Sequence, residues 1–130
     1  MIDVIYVAAP WKHRETARAV AIQFREAGFT VMSRWHDEWG AEIGPEDSKD
    51  PMVLAAEANA DFADVILSEA MVVLNIEKSE GKAVEQGIAH TVEMPIVVIG
   101  TERFNVFQYL PRVRLVPDFD AAVAYLRSLD

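Results

Sequence analysis

Apolar residues fall in five short runs along the chain, separated by stretches in which they recur every three or four positions. Ile2 to Ala8, Phe29 to Ser33, Met71 to Ile76, Pro95 to Ile99 and Val113 to Val116 are rich in β-branched residues and read as strands. Trp11 to Ala27 carries Ala17, Val20, Ala21 and Phe24 at helical spacing and stops at Gly28. Met52 to Glu69 repeats the pattern with Leu54, Ala55, Ala58, Phe62, Val65 and Ile66. Ser79 to Ala89 opens a third helix, with Ala83, Val84, Gly87, Ile88 and Thr91 on the face expected to pack inward and Glu85 near its border. Asp118 begins a fourth, through Ala121, Ala122, Ala124, Tyr125 and Leu126. From Arg34 to Pro51 the periodicity is lost, which marks a long connection of the kind that often forms a binding loop.

Strands alternating with helices, the strands nearly continuously apolar, predict an α/β fold: a doubly wound, five-stranded parallel sheet, flavodoxin- or Rossmann-like, with helices on both faces. Right-handed crossovers and a 2-1-3-4-5 strand order bring the first and third strands together at the switch point. The loops 8–11 and 77–82 then face one crevice.

At 130 residues with 52% hydrophobic composition, the chain fits a single domain, 1–130, that buries a continuous core. It contains no cysteine, which excludes a disulfide framework, a thiolate metal site and a thiol nucleophile. The formal net charge of −9 argues against a DNA- or RNA-binding role, since such binding rests on phosphate neutralisation by Lys and Arg. The first residues run straight into a strand and no apolar run has the length of a membrane span, so the expectation is a cytoplasmic protein without a membrane partner. His13, His36 and His90 lack metal-ligand spacing and read as surface or packing residues; no metal is expected.

The candidate chemistry centres on the stretch after the third strand, Ser79-Glu-Gly-Lys-Ala-Val-Glu85-Gln-Gly-Ile-Ala89. A chain that leaves a buried strand through Ser, Glu and Gly and enters a helix sits where open α/β sheets hold ligands, with backbone N–H groups facing outward. The helix dipole favours an ionised carboxylate at Glu85, and a held carboxylate suits attack on a sugar carbon. On position alone a solvated first-turn acid explains Glu85 more simply. A phosphate-loop reading fails, because Lys82 is followed by Ala83 and the upstream glycine is missing. Asp61 and Asp64, three apart on the second helix, are either two tolerated like charges or mark a site into which one of them points. Trp35 either stacks on a base or caps the core edge, and Trp39 anchors its loop.

Taken together, Ile5-Tyr6-Val7-Ala8-Ala9-Pro10-Trp11, Asp61 with Asp64, Ser79-x-Gly81-x-x-x-Glu85-x-Gly87-x-Ala89 and Asn105-Val106-Phe107 resemble the nucleoside 2-deoxyribosyltransferase family, which includes deoxynucleoside 5′-monophosphate N-glycosidases. The resemblance covers nearly the whole chain. It implies an enzyme in which Glu85 is the nucleophile on the anomeric carbon and forms a glycosyl-enzyme intermediate. Tyr6 would orient that carboxylate, and Asp61 would bind the sugar or assist proton transfer to the leaving base. Ser79 would contact a 5′-phosphate, beside Gly81 and Lys82, while Trp11, Trp35 and Asp64 would complete the substrate-binding set. Asn105 lies where the family supplies a residue across a subunit boundary, so a homodimer or larger homo-oligomer is implied. The substrate would be a small-molecule nucleoside or nucleotide, no cofactor is required, and water or a second base as acceptor stays open. Two departures stand out: Glu69-Ala70 replaces an Ala-Asp pair common before the third strand, and Lys82 sits inside the central motif. The competing readings are a non-catalytic nucleotide-binding module and a flavodoxin-like binding protein; the latter is disfavoured because Ala-Ala-Pro-Trp follows the first strand in place of a Ser/Thr/Gly-rich phosphate loop.

Overall fold

The computed structural model describes residues 1–37 and 48–129. The expectation for Trp39 and residues 38–47 of the aperiodic connection lie outside the described residues.

Five strands, β1 (Val4–Ala8), β2 (Thr30–Val31), β3 (Ala70–Leu74), β4 (Ile96–Ile99) and β5 (Val113–Val116), form one sheet in the order β2-β1-β3-β4-β5. Every pairing is parallel, as predicted. Among the described residues four α-helices accompany them: α1 (Arg14–Glu26), α2 (Pro51–Ile66) and α3 (Glu80–Thr91) link successive strands, and α4 (Phe119–Ser128) follows β5. Phe24 of α1 meets Phe119 of α4 edge to face at 4.7 Å between ring centroids. All five residues of β3 are buried, the environment a central parallel strand requires.

The helix ends carry their own stop and start signals. Asp50 caps α2 through Met52 N (2.9 Å) with Pro51 in the first turn, and Asp118 caps α4 through Ala121 N (2.9 Å). Gly28 takes φ +103° just beyond α1, a conformation that a Cβ disfavours.

Three expectations shift. β2 is two residues long rather than five, an edge strand whose flanks still pair with β1 through Thr30 N to Asp3 O and Met32 N to Ile5 O, both 2.8 Å. α2 ends at Ile66 rather than reaching Glu69, because Glu69 is used elsewhere: its carboxylate accepts Asp3 N (2.8 Å) and Val4 N (2.9 Å), tying down the start of β1. On α3 the inward face was misassigned. Lys82, Gln86 and Ala89 are buried, whereas Ala83, Val84, Gly87 and Thr91 are exposed and, of the expected face, only the half-buried Ile88 packs against the core. Two of the three buried residues, Lys82 and Gln86, are polar because this side of α3 closes a polar network and Lys82 borders a cavity.

His36 is a packing residue. It is fully buried between Ser33 Oγ (2.8 Å) and Asp37 Oδ1 (3.0 Å), and Ser33 Oγ in turn accepts Val7 N (3.0 Å). Burial pushes the imidazole below its ordinary pKa against the opposing pull of Asp37, so it stays neutral and joins its two partners.

Candidate active site

A cavity of about 450 Å³ opens at the switch between β1 and β3. One wall is Ala9, Trp11 and Trp35, from the end of β1 and the turn after β2. A second is α2, through Leu54, Glu57, Ala58, Asn59, Asp61 and Phe62. The third is the start of α3, through Ser79, Gly81, Lys82, Val84, Glu85 and Ile88.

Tyr6 lies under this cavity, fully buried in β1, and its hydroxyl donates a hydrogen bond to Glu85 Oε2. Burial raises the phenol well above its usual pKa, and the carboxylates of Glu85, Asp61 and Asp64 push it further the same way. The group therefore remains a neutral donor across the physiological range. A phenol locked as donor fixes one oxygen of Glu85 and leaves the carboxylate oriented on a cavity wall. Asp61 and Glu57, one helical turn apart on α2, bring two more carboxylates to the same cavity.

Trp35 sits at the core edge and also reaches the cavity. It is 5% exposed, its Nε1 donates to Val7 O at 2.8 Å, and its ring also borders the cavity beside Trp11, 6.2 Å away between centroids. Arg14 lies over the Trp11 ring at 4.7 Å. Ser79 caps α3, its Oγ accepting Lys82 N at 3.3 Å, and together with Gly81 it forms the rim.

Two candidates are not brought to this cavity. Asp64 is 2% exposed and accepts both Arg34 Nε (3.0 Å) and Nη2 (2.9 Å), a bidentate pair behind the α2 wall. Of the two readings left open for the aspartates, Asp61 borders the cavity and Asp64 is neutralised. Asn105 caps the short 3₁₀ turn Val106–Tyr109 through Phe107 N (3.0 Å), in a separate depression between that turn and α3. Lys82 borders the cavity, but its ammonium donates to Leu74 O, Asn75 Oδ1 and Glu77 O. Burial lowers its pKa to about 8, opposed by Glu77.

Sequence reasoning missed Glu57, Asn59 and Phe62 as cavity residues. The signal was present for Glu57: it precedes Asp61 by one turn, and the stripe through positions 54, 57, 58, 61 and 62 is one helical face. It also missed the amide chain of Asn75, Gln108 and Gln86, which joins residues far apart in sequence. Among the described residues no group of three or more His, Cys, Asp or Glu is placed to hold a metal ion, and no helix is long and apolar enough to cross a membrane.

The sheet order and the crevice at its switch point define the class: a doubly wound α/β protein with a Tyr-anchored carboxylate in the position where such folds hold ligands. No protein-family model matches the sequence, and no curated protein matches it. Solved structures do share the fold. A CMP N-glycosidase from Clostridium botulinum superposes with a TM-score of 0.62 at 14% identity, over 98% of this chain and 100% of that one. A 2-deoxyribosyltransferase from Bacillus psychrosaccharolyticus superposes with a TM-score of 0.69 at 17% identity, over 95% of each chain. At such identities the likeness establishes a common fold over nearly the whole chain.

Proposed function

We propose that the protein cleaves or transfers the N-glycosidic bond of 2′-deoxyribonucleosides or their 5′-monophosphates, as a member of the nucleoside 2-deoxyribosyltransferase family. The observation that carries this reading is the hydrogen bond from buried Tyr6 to Glu85 on the wall of the switch-point cavity. The two solved relatives, one named for CMP N-glycosidase activity and the other for 2-deoxyribosyl transfer, support the same chemistry.

In the proposed reaction, Glu85 attacks C1′ as the bond to the base nitrogen breaks, through an oxocarbenium-like state that the carboxylate stabilises. The bonding pair departs with the base, which takes a proton from Asp61 or from water held by it. A glycosyl ester on Glu85 results. Water or a second base then attacks C1′ from the face the first base left and gives up a proton to Asp61 or its water as the ester bond to Glu85 breaks, returning the carboxylate and giving the free sugar, its 5′-phosphate, or a new nucleoside or nucleotide with retained configuration. Tyr6 holds the nucleophile throughout, while Trp11 and Trp35 offer aromatic faces to the base.

The same reading includes self-association. Phe62, Leu67, Val84, Phe107 and Tyr109 are all more than half exposed, and exposed apolar side chains that cluster mark interaction surfaces. A dimer would cover it, and light scattering at micromolar concentration reads the mass directly.

The decisive experiment is a panel of deoxynucleosides and deoxynucleotides, with and without an acceptor base, assayed by chromatography of the released base. Glu85→Ala should reduce release by roughly 10³-fold or more while the fold persists. Equal rates in parent and variant would remove Glu85 from the chemistry. A nucleotide retained tightly with no base released would point to a binding module.

A further inference from the structure

Lys82 is a cation in an unfavourable place. It occupies the third position of α3, where the helix dipole opposes positive charge, and it is 3% exposed. Its hydrogen bonds run to uncharged oxygens: Leu74 O at 3.4 Å, Asn75 Oδ1 at 3.2 Å and Glu77 O at 2.7 Å. The Phe104 ring lies 4.7 Å from Nζ. An ammonium has three N–H donors, and three acceptors surround this one. A buried charge without a carboxylate in contact is a poor source of stability, and an apolar side chain of similar volume would serve the core as well. What the arrangement does provide is geometry.

The three acceptors span the last residue of β3 and the connection that follows, so the ammonium draws residues 74–77 against the first turn of α3. Asn75 is held from the other side as well: its Nδ2 donates to Glu102 O and Gln108 Oε1, both at 2.9 Å. Gln108 Nε2 donates to Asn75 Oδ1 at 3.2 Å and Gln86 Oε1 at 2.9 Å, which closes the network back onto α3. Gly100 is part of the fit, since a Cβ there would stand 3.0 Å from Asn75 Cβ.

We propose that Lys82 is a positioning residue: its ammonium ties the β3–α3 connection to α3 and so fixes Ser79 and Gly81 along the cavity, without itself gripping substrate. The kinetic consequence rests on the glycosyl-transfer reading; the structural one does not. Lys82→Met tests it, with Gly100→Ala as a second variant that disturbs Asn75 from outside the cavity. In the 130-residue chain, amide hydrogen exchange at positions 75–81 should quicken by about tenfold in Lys82→Met, with protection elsewhere unchanged. Base release should show KM raised by roughly tenfold and kcat within about threefold of the parent. Gly100→Ala should give the same pattern in weaker form, and it decides the matter alone if Lys82→Met does not fold. Unchanged exchange at 75–81 would overturn the proposal, as would a collapse of kcat with KM unaltered, which would place the ammonium in the chemistry. If the parent releases no base from any substrate, the glycosyl-transfer reading fails while the exchange measurement still decides the tether.

Discussion

Asp61 and Asp64 stand three residues apart on α2, yet the structure assigns them opposite fates, and mutating each in turn should separate them cleanly. Asp64 is buried, and its two oxygens take two guanidinium N–H groups of Arg34 at 2.9 and 3.0 Å. Truncation to Ala removes both charge-assisted bonds. Breaking a fully buried ion pair costs about 3–5 kcal/mol, largely because the surviving charge is stranded. Here the Arg34 side chain is 55% exposed and can rehydrate, so the expected loss is smaller, about 2 kcal/mol. For a chain of 130 residues, an unfolding entropy of about 2.1 cal/mol/K per residue converts that loss to roughly 7 °C in Tm.

Asp61 borders the cavity with Glu57 one turn before it. The effect of Asp61→Ala belongs in the rate: base release should fall by about 10²–10⁴-fold, the usual contribution of a general acid. Differential scanning calorimetry and chromatographic assay of released base, run on both variants well below either Tm, give the four numbers needed. A Tm for Asp64→Ala within about 2 °C of the parent would refute the anchoring role. A rate loss in Asp64→Ala matching that of Asp61→Ala would put Asp64 back in the site.

The Tyr6 phenol has its pKa raised above 10.0 by burial and then by its carboxylate neighbours, so its stabilisation is intact below the unfolded pKa and is lost as pH climbs through the folded value. Tyr6→Phe should therefore flatten the loss of stability above pH about 10 in urea titrations; parallel alkaline limbs in parent and variant would contradict this. Glu69 has its pKa lowered by the backbone N–H groups of Asp3 and Val4, so its contribution is present above the unfolded value near 4.5 and disappears as pH falls through the folded one. Because that carboxylate is exposed, Glu69→Gln should cost at most about 1 kcal/mol at pH 7 and nothing at pH 2, read by urea midpoints at the two pH values.

The sheet could be read from the chain because central parallel strands are buried on both faces, and short, β-branched runs such as Met71-Val72-Val73-Leu74 match that environment. The cavity was half legible for a related reason: strand order alone places the ends of β1 and β3 together, and Glu85 follows β3 by a fixed path. Asp64 was ambiguous because its partner Arg34 lies 30 positions away, in the stretch where periodicity fails. Gln86 and Gln108 were invisible because amides carry no pattern until tertiary structure pairs them.

The error on α3 is the most instructive, since it follows from applying a sound rule where its premise does not hold. Amphipathic reading assumes that a helix turns its apolar stripe to the core. On α3 the stripe through Lys82, Gln86 and Ala89 faces in, with Glu85 beside it reaching Tyr6, while Ala83, Val84 and Gly87 face out. A helix that carries its charges inward meets the desolvation cost with specific partners, and three inward groups on α3 have them: a phenol for Glu85, three oxygens for Lys82, and amide and carbonyl groups for Gln86, whereas the buried ring nitrogens of His90 have no hydrogen-bond partner among the described residues. Inverted amphipathicity of this kind breaks the local packing rule, as folds do chiefly at functional or strained sites. It also leaves small, apolar positions on the outer surface, where the proposed second copy of the chain would lie against them.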